Sequence, residues 1–128
     1  MDRHIKFRGK RTDNGEWAYG FYNEDGNGNP VIKDTKYHVN DGYIDLIPVH
    51  VIPETVGQFT GLYDSNRKEI YEGDIIKTVQ GFTAVVEWVK DGRFLGFTRD
   101  RKILYIDREP AVEVIGNVHD NRELLTVK

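Results

Sequence analysis

Residues Glu54 to Ile76 read ETVGQFTGLYDSNRKEIYEGDII, and how this stretch is read decides the fold. Gly57, Gly61 and Gly73 punctuate two apolar segments, with the polar turn Asp64-Ser65-Asn66 between them and the carboxylates of Glu69, Glu72 and Asp74 beyond it. Short apolar runs bounded by Asp, Asn and Gly are the pattern of strands and tight turns. Acid/base catalysis or a magnesium site would want carboxylates this close together. A backbone role explains them more simply. Glu72-Gly73-Asp74 is a turn feeding the strand Ile75 to Val79, in which Gly73 takes a conformation other residues avoid and Asp74 bonds nearby amides. Asp64-Ser65-Asn66 reads as an Asx-type turn, and no histidine close in sequence would activate Ser65 as a nucleophile. The glycines form no phosphate loop, because no Gly-Lys-Ser/Thr follows and no long helix begins there.

Upstream, Ile5 to Tyr22 alternates short β-like segments about Thr12-Asp13-Asn14-Gly15, where a hairpin is expected. Trp17, Tyr19 and Phe21 fall at period two and share one face, which is expected to be buried; Ala18, Gly20 and Tyr22 take the other. Asn23 to Asn29 reads as an exposed, mobile connection. Its Asp25-Gly26-Asn27-Gly28 lacks the ligand spacing and terminal glutamate of a calcium loop. Val31-Ile32, Tyr37 to Val39 and Tyr43 to Ile47 are expected as short strands. Pro48 and Pro53 bracket Val49 to Ile52 and place that piece at a sheet edge or a crossing, since proline cannot donate to a ladder.

Downstream, Phe82 to Val89 and Phe94 to Thr98 flank Lys90-Asp91-Gly92-Arg93. Asp-Gly is the preferred pair for a two-residue type I′ loop, which sets Trp88 opposite Leu95 and Val86 opposite Phe97, all on one buried face with Ala84. A three-residue loop would instead pair Glu87 with Leu95 and Val85 with Phe97 and mix the faces, so the two-residue loop is expected. Ile103 to Ile106 and Val112 to Val118 supply further strands around Asp107-Arg108-Glu109-Pro110. Asp120 or Asn121 caps a short helical turn whose Leu124 and Leu125 fold back. The expected fold is mainly β: a small, strongly bent sheet or SH3-like barrel in the second half, with added N-terminal strands and a short C-terminal helical turn. Residues 1–128 are expected to form a single domain.

With 18 basic and 21 acidic residues and a net charge of -3, non-specific phosphate neutralisation is not the main business of this chain. Local basic patches are still allowed. Arg3, His4, Lys6, Arg8, Lys10 and Arg11 make the first segment basic, and Arg99, Arg101 and Lys102 form a second patch beyond Phe97. Beside exposed aromatics such as Tyr19, Tyr22 or Tyr63, such cations can hold a nucleic-acid backbone while rings stack on bases. The plainer alternative is a solvated strand face with snorkelling side chains. Without cysteine there is no disulfide, thiol nucleophile or zinc-thiolate site. His4, His38, His50 and His119 have no metal-ligand spacing. No catalytic residue, cofactor site or metal ligand is therefore assigned. No start resembling a signal peptide and no apolar run of about 20 residues is present, so a soluble cytoplasmic protein that does not enter a membrane is expected.

The positions Gln58, Thr60, Gly61, Leu62, Asp64, Glu69, Ile70, Tyr71, Glu72, Gly73 and Asp74 are followed by Val114-Ile115-Gly116-Asn117-Val118-His119-Asp120-Asn121-Arg122-Glu123-Leu124-Leu125. Ile5-Lys6-Phe7-Arg8 and Trp17 to Phe21 precede them. Together these blocks resemble the YopX family of phage and prophage proteins. The resemblance implies a small, largely β, self-associating protein without an assigned activity and with no catalytic residue to carry over. Asn23 to Asn29 and Gln80 to Pro110 depart from the family pattern, and a partner-specific surface is expected there. The leading expectation is a non-enzymatic phage accessory protein acting in a bacterial host as a binding or assembly module. It is expected to be a homo-oligomer, with a host or phage protein as partner and self-association through the edge at Val49 to Ile52. Nucleic-acid binding through the two basic patches is the second reading, and a carboxylate-dependent enzyme around Glu69, Glu72 and Asp74 the third.

Overall fold

A computed structural model describes residues 6–40 and 43–125, with the side chains of residues 34–47 outside the description. The chain is mainly β, as expected, with every strand pairing antiparallel and no closed barrel among the described residues. It divides into two compact units, residues 1–58 and 59–128.

In the first unit β1 (Phe7–Lys10), β2 (Trp17–Glu24), β3 (Pro30–Asn40) and β4 (Tyr43–His50) follow one another across the sheet. The free side of β1 takes Gly57 and Gln58, the first residues of β5 (Gly57–Tyr63). The expected short strands at Val31 and Tyr37 are one strand, β3, with a register shift between Asp34 and Tyr37. After β4 the chain crosses as its prolines suggested: Val51 bridges Arg11, and the Ile52 amide donates to the Lys10 carbonyl at 2.8 Å. Thr55 fixes this crossing, its hydroxyl accepting the Lys10 amide at 2.8 Å and donating to the Ile52 carbonyl.

The buried face of β2 is the reverse of the expected one. Ala18 and Gly20 are buried, Trp17 and Tyr19 are half-buried, and Phe21 is exposed. The reason is close approach. Val51 lies over Gly9 so tightly that a Cβ on Gly9 would come 2.9 Å from the Val51 Cβ. Only the face lined by small residues leaves room for the core of Ala18, Ile32, Val49 and Val51, with Phe7 and Val56 against it.

In the second unit β6 (Glu69–Tyr71) pairs with the later part of β5. A five-stranded sheet runs β10-β9-β8-β7-β11, where β7 is Asp74–Thr78, β8 Thr83–Val89, β9 Arg93–Phe97, β10 Ile103–Leu104 and β11 Val112–Asn117. Ile70, Ile76, Ala84, Val86, Leu104, Ile106 and Val112 form its core. The expected C-terminal turn is a short 3-10 helix, Arg122–Leu125, opened by the Leu124 amide donating to the Asn121 carbonyl at 2.9 Å.

One five-residue turn recurs at Asp25–Asn29, Asp64–Lys68, Thr78–Phe82 and Thr98–Lys102. In each, the first amide donates to the fifth carbonyl and the fourth amide to the first carbonyl, at 2.8 to 3.0 Å. The side-chain oxygen of the first residue, an Asp or a Thr, accepts the fifth amide at 2.8 to 3.1 Å. The fourth residue is left-handed: Gly28, Arg67, Gly81 and Arg101, at φ of 82°, 65°, 95° and 65°. This is a type I turn closed by a residue in the left-handed region, which makes a three-residue hairpin loop.

The loop between β8 and β9 uses the same backbone, with Gly92 at φ 87° and its amide on the Val89 carbonyl. The expected two-residue turn is therefore wrong by one residue. Glu87 faces Leu95, Val86 faces Gly96 and Val85 faces Phe97. The core decides the register: a Cβ at position 96 would already sit 3.2 Å from the Ala84 Cβ and 3.4 Å from Leu104. Only the three-residue loop puts the glycine, rather than Phe97, opposite Val86. Trp88, expected in the core, is half-exposed at the sheet end and packs edge-on against Phe94 at 4.7 Å.

Candidate functional site

Two acidic residues of Glu54 to Ile76, Asp64 and Asp74, are occupied by the backbone. Asp64 is buried and accepts the amides of Asn66 and Lys68 at 2.8 Å on one oxygen and that of Val114, fifty residues on, at 3.0 Å on the other. Burial pushes its carboxyl up, but the amides of Val114, Lys68 and Asn66 outweigh burial and hold it below the usual carboxylate value. Asp64 thus joins its own turn to β11, and the Ser65 amide adds a bond to the Val112 carbonyl at 2.8 Å. Asp74 is buried and accepts the Tyr71 amide at 2.7 Å across Gly73, whose φ of 92° lets the chain reverse there. Glu69 accepts the Tyr71 hydroxyl at 2.8 Å. Among the described residues no group of three or more His, Asp or Glu is placed to hold a metal ion. The arrangement can hold a fold together.

Of the four histidines, His50 and His119 have described side chains. His4 lies outside the described residues, as does the side chain of His38. His50 meets Asp25 at 2.9 Å, and the His119 amide donates to Asn117. The Asp25-Gly26-Asn27-Gly28 segment is a turn. One Asp25 oxygen accepts the amides of Asn27 and Asn29, at 2.8 and 2.9 Å. His50 beside it, then the Asn29 and Asn27 amides, hold the Asp25 carboxyl far below the usual range.

The first basic segment is divided. Arg3 lies outside the described residues. Lys6 is half-buried just before β1. Arg8 is buried with its guanidinium 4.6 Å over the Trp17 ring, and the Lys10 ammonium is 5.8 Å from the same ring. Arg11 turns to Asp13 in a two-pronged pair at 2.8 and 2.9 Å. Of the aromatics read beside this segment, Tyr19 is half-buried, while Tyr22 and Tyr63 are exposed.

The second segment stays together. Arg99, Arg101 and Lys102 share the Thr98–Lys102 turn, which stands at the same end of the five-stranded sheet as the Thr78–Phe82 turn. The two turns enclose a groove of about 620 Å³ lined by Gln80, Gly81, Phe82 and Thr83 on one side and Thr98, Arg99, Asp100 and Lys102 on the other. Arg101 points away from the groove's centre, pairing with Glu87 at 3.0 Å and lying 4.4 Å over the Phe97 ring. Asp100 accepts the Thr98 hydroxyl, and its far oxygen lies 3.7 Å from the Lys102 ammonium. Phe82, 61 % exposed, carries the apolar wall. Sequence reading missed Gln80, Phe82, Thr83 and Thr98 as groove residues. The signal was present in the matched spacing of Thr78 to Phe82 and Thr98 to Lys102, which sets two equal turns at one sheet end.

The family model described as YopX protein matches residues 6–126. No curated protein matches the chain. Among solved structures, the chain is similar to the crystal structure of protein EF1440 from Enterococcus faecalis, with 25% identity and a TM-score of 0.63, covering 97% of this chain and 99% of that one.

Proposed function

We propose that this chain, which belongs to the YopX family, is a non-catalytic binding or assembly module, and that the groove between its two matched turns is the binding surface. The observation that carries this reading is the division of labour in the second unit. Asp64 and Asp74 are buried and spent on main-chain amides, while Phe82 is exposed and lines an accessible groove together with Arg99 and Lys102. In this reading the protein serves a phage or prophage in a bacterial cytoplasm, works as a homo-oligomer and meets a host or phage partner through the groove. No enzymatic step is assigned to it. Among the described residues no helix is long and apolar enough to cross a membrane.

The test is partner capture from an induced lysogen with matched variants. Phe82→Ala and Lys102→Glu are expected to lose the captured partner, and Glu69→Gln and Glu72→Gln to keep it. The opposite pattern would return the function to the carboxylates. Light scattering is expected to give a mass above that of one chain, and a monomer at high concentration would remove the homo-oligomer.

A further inference from the structure

We propose that the groove holds a short single-stranded segment of nucleic acid, with one base stacked on Phe82 and the neighbouring phosphates met by Arg99 and Lys102. This rests on the reading of the protein as a binding module and names the ligand class of that module. Three features of the groove point the same way. Phe82 and its neighbour Val79 are 61 % and 70 % exposed, so an aromatic face is offered to solvent at the lip of a concave surface. The opposite wall carries two cations, Arg99 and Lys102, and one carboxylate, Asp100, which accepts the Thr98 hydroxyl and lies 3.7 Å from the Lys102 ammonium. The volume, about 620 Å³, lies within the range of roughly 300 to 1,000 Å³ typical of ligand sites.

A planar π face across from cations suits a ligand that joins a flat ring to an anion. An acidic peptide would satisfy Arg99 and Lys102 but bring nothing to stack on Phe82. A duplex keeps its bases stacked on one another, so only a single strand can present a base to the ring. Gln80, on the Phe82 side, supplies both a donor and an acceptor for a base edge. The net charge of -3 means that affinity must come from this local site, and the salt dependence should be that of few phosphates.

The test is fluorescence anisotropy of a labelled oligothymidine of about 12 nucleotides, a length within known single-strand site sizes, titrated with the intact protein. Wild type is expected to bind at low salt. For two phosphates, binding should weaken roughly sevenfold between about 50 and 200 mM salt. Phe82→Ala is expected to weaken binding about tenfold or more, as losing one base stack does, and Phe82→Tyr to retain it. The joint Arg99→Ala, Lys102→Ala variant is expected to bind weakly with a flattened salt dependence. The Phe82 ring is exposed and its turn is held by main-chain bonds and Thr78, so an unchanged unfolding midpoint certifies the fold of each variant.

Absence of binding by wild type at low salt would overturn the proposal. So would full affinity in Phe82→Ala, duplex binding as tight as single-strand binding, or competition by thymidine monophosphate as strong as that of the oligomer. If a polyglutamate peptide binds instead and depends on Arg99 and Lys102, the nucleic-acid proposal falls while the binding-module reading stands. If neither ligand nor the captured partner responds to groove variants, both fall.

Discussion

The first unit is built on Ala18, Ile32, Val49 and Val51, with Gly9 admitting Val51 to near-contact with the β1 main chain. The second packs Ile70, Ile76, Ala84, Val86, Leu104, Ile106 and Val112 and also takes the carboxylates of Asp64 and Asp74 inside. The first unit depends on a missing side chain at Gly9, with the Thr55 hydroxyl on the Lys10 amide beside it, while the second takes ionisable carboxylates inside, one of which holds a main-chain amide fifty residues on. The difference bears on where function can sit. In the second unit the buried carboxylates hold the fold, and the exposed groove lies elsewhere, between the turns at Thr78–Phe82 and Thr98–Lys102.

The comparison breaks most visibly at Asp64. Asp64→Ala strips an acceptor from three amides, those of Asn66, Lys68 and Val114. Leaving a buried donor unpaired costs about 1 to 3 kcal/mol, and with Asn66 and Lys68 at the surface a loss of about 3 kcal/mol is expected. Each unit holds one of the two tryptophans, Trp17 and Trp88, so Trp17→Phe and Trp88→Phe backgrounds report the two units separately in urea. The Trp88 signal is expected to carry the full shift. An equal shift at Trp17 would show that residues 1–128 unfold as one cooperative domain and would erase the contrast.

Gly9→Ala is the corresponding test of the first unit. The added methyl would lie 2.9 Å from the Val51 Cβ, and relieving such an overlap in a packed core costs about 1 to 3 kcal/mol. The shift is expected at Trp17. A further Val51→Ala change should recover part of it if close approach is the cause. No recovery would locate the cost elsewhere.

A smaller effect separates the matched turns. Arg67 and Arg101 hold left-handed backbone that Gly28, Gly81 and Gly92 hold at no steric cost. Arg67→Gly is expected to be neutral or stabilising by up to about 1 kcal/mol, because relief of roughly 1 to 2 kcal/mol of strain is offset by the freedom glycine gains when unfolded. Arg101→Gly should gain less, since Arg101 also pairs with Glu87 and covers Phe97. Equal gains at both positions, measured by urea midpoint, would mean that those contacts contribute nothing.

Asp64 and Asp74 could be read in sequence as turn residues because their partners Asn66, Lys68 and Tyr71 are local, and an Asp before a tight turn has few other uses. The Asn121-led C-terminal turn was legible for the same reason. The bond from Asp64 to Val114 was not, since nothing in a sequence reports which amide fifty residues away lacks a partner. Asp91-Gly92 admits both a two-residue and a three-residue loop, and the choice falls to Gly96, Ala84 and Leu104 in the assembled core. The buried face of β2 escaped in the same way, because aromatic periodicity favours Trp17, Tyr19 and Phe21 while room for Val51 requires Gly9, Ala18 and Gly20. The groove was half legible: Arg99 and Lys102 marked one wall, and Phe82 passed for a strand residue.

The smallest expected effect compares two copies of one turn in acid. Asp25 and Asp64 both sit below the usual carboxylate value, Asp25 chiefly through His50 and Asp64 through amides acting against burial. A carboxyl held lower in the folded chain than near its unfolded value of about 4 contributes stability above that pH, and the contribution is lost as pH falls through the lowered folded value. Both turns therefore weaken below about pH 4 and not above it. His50→Gln removes the largest cause at Asp25 and touches nothing at Asp64. Followed by carboxyl NMR, the Asp25 titration is expected to rise while staying below the ordinary value, because the Asn29 and Asn27 amides remain, and the Asp64 titration should not move. An Asp25 titration indifferent to His50 would make the two turns electrostatically alike and leave the amides as the common cause.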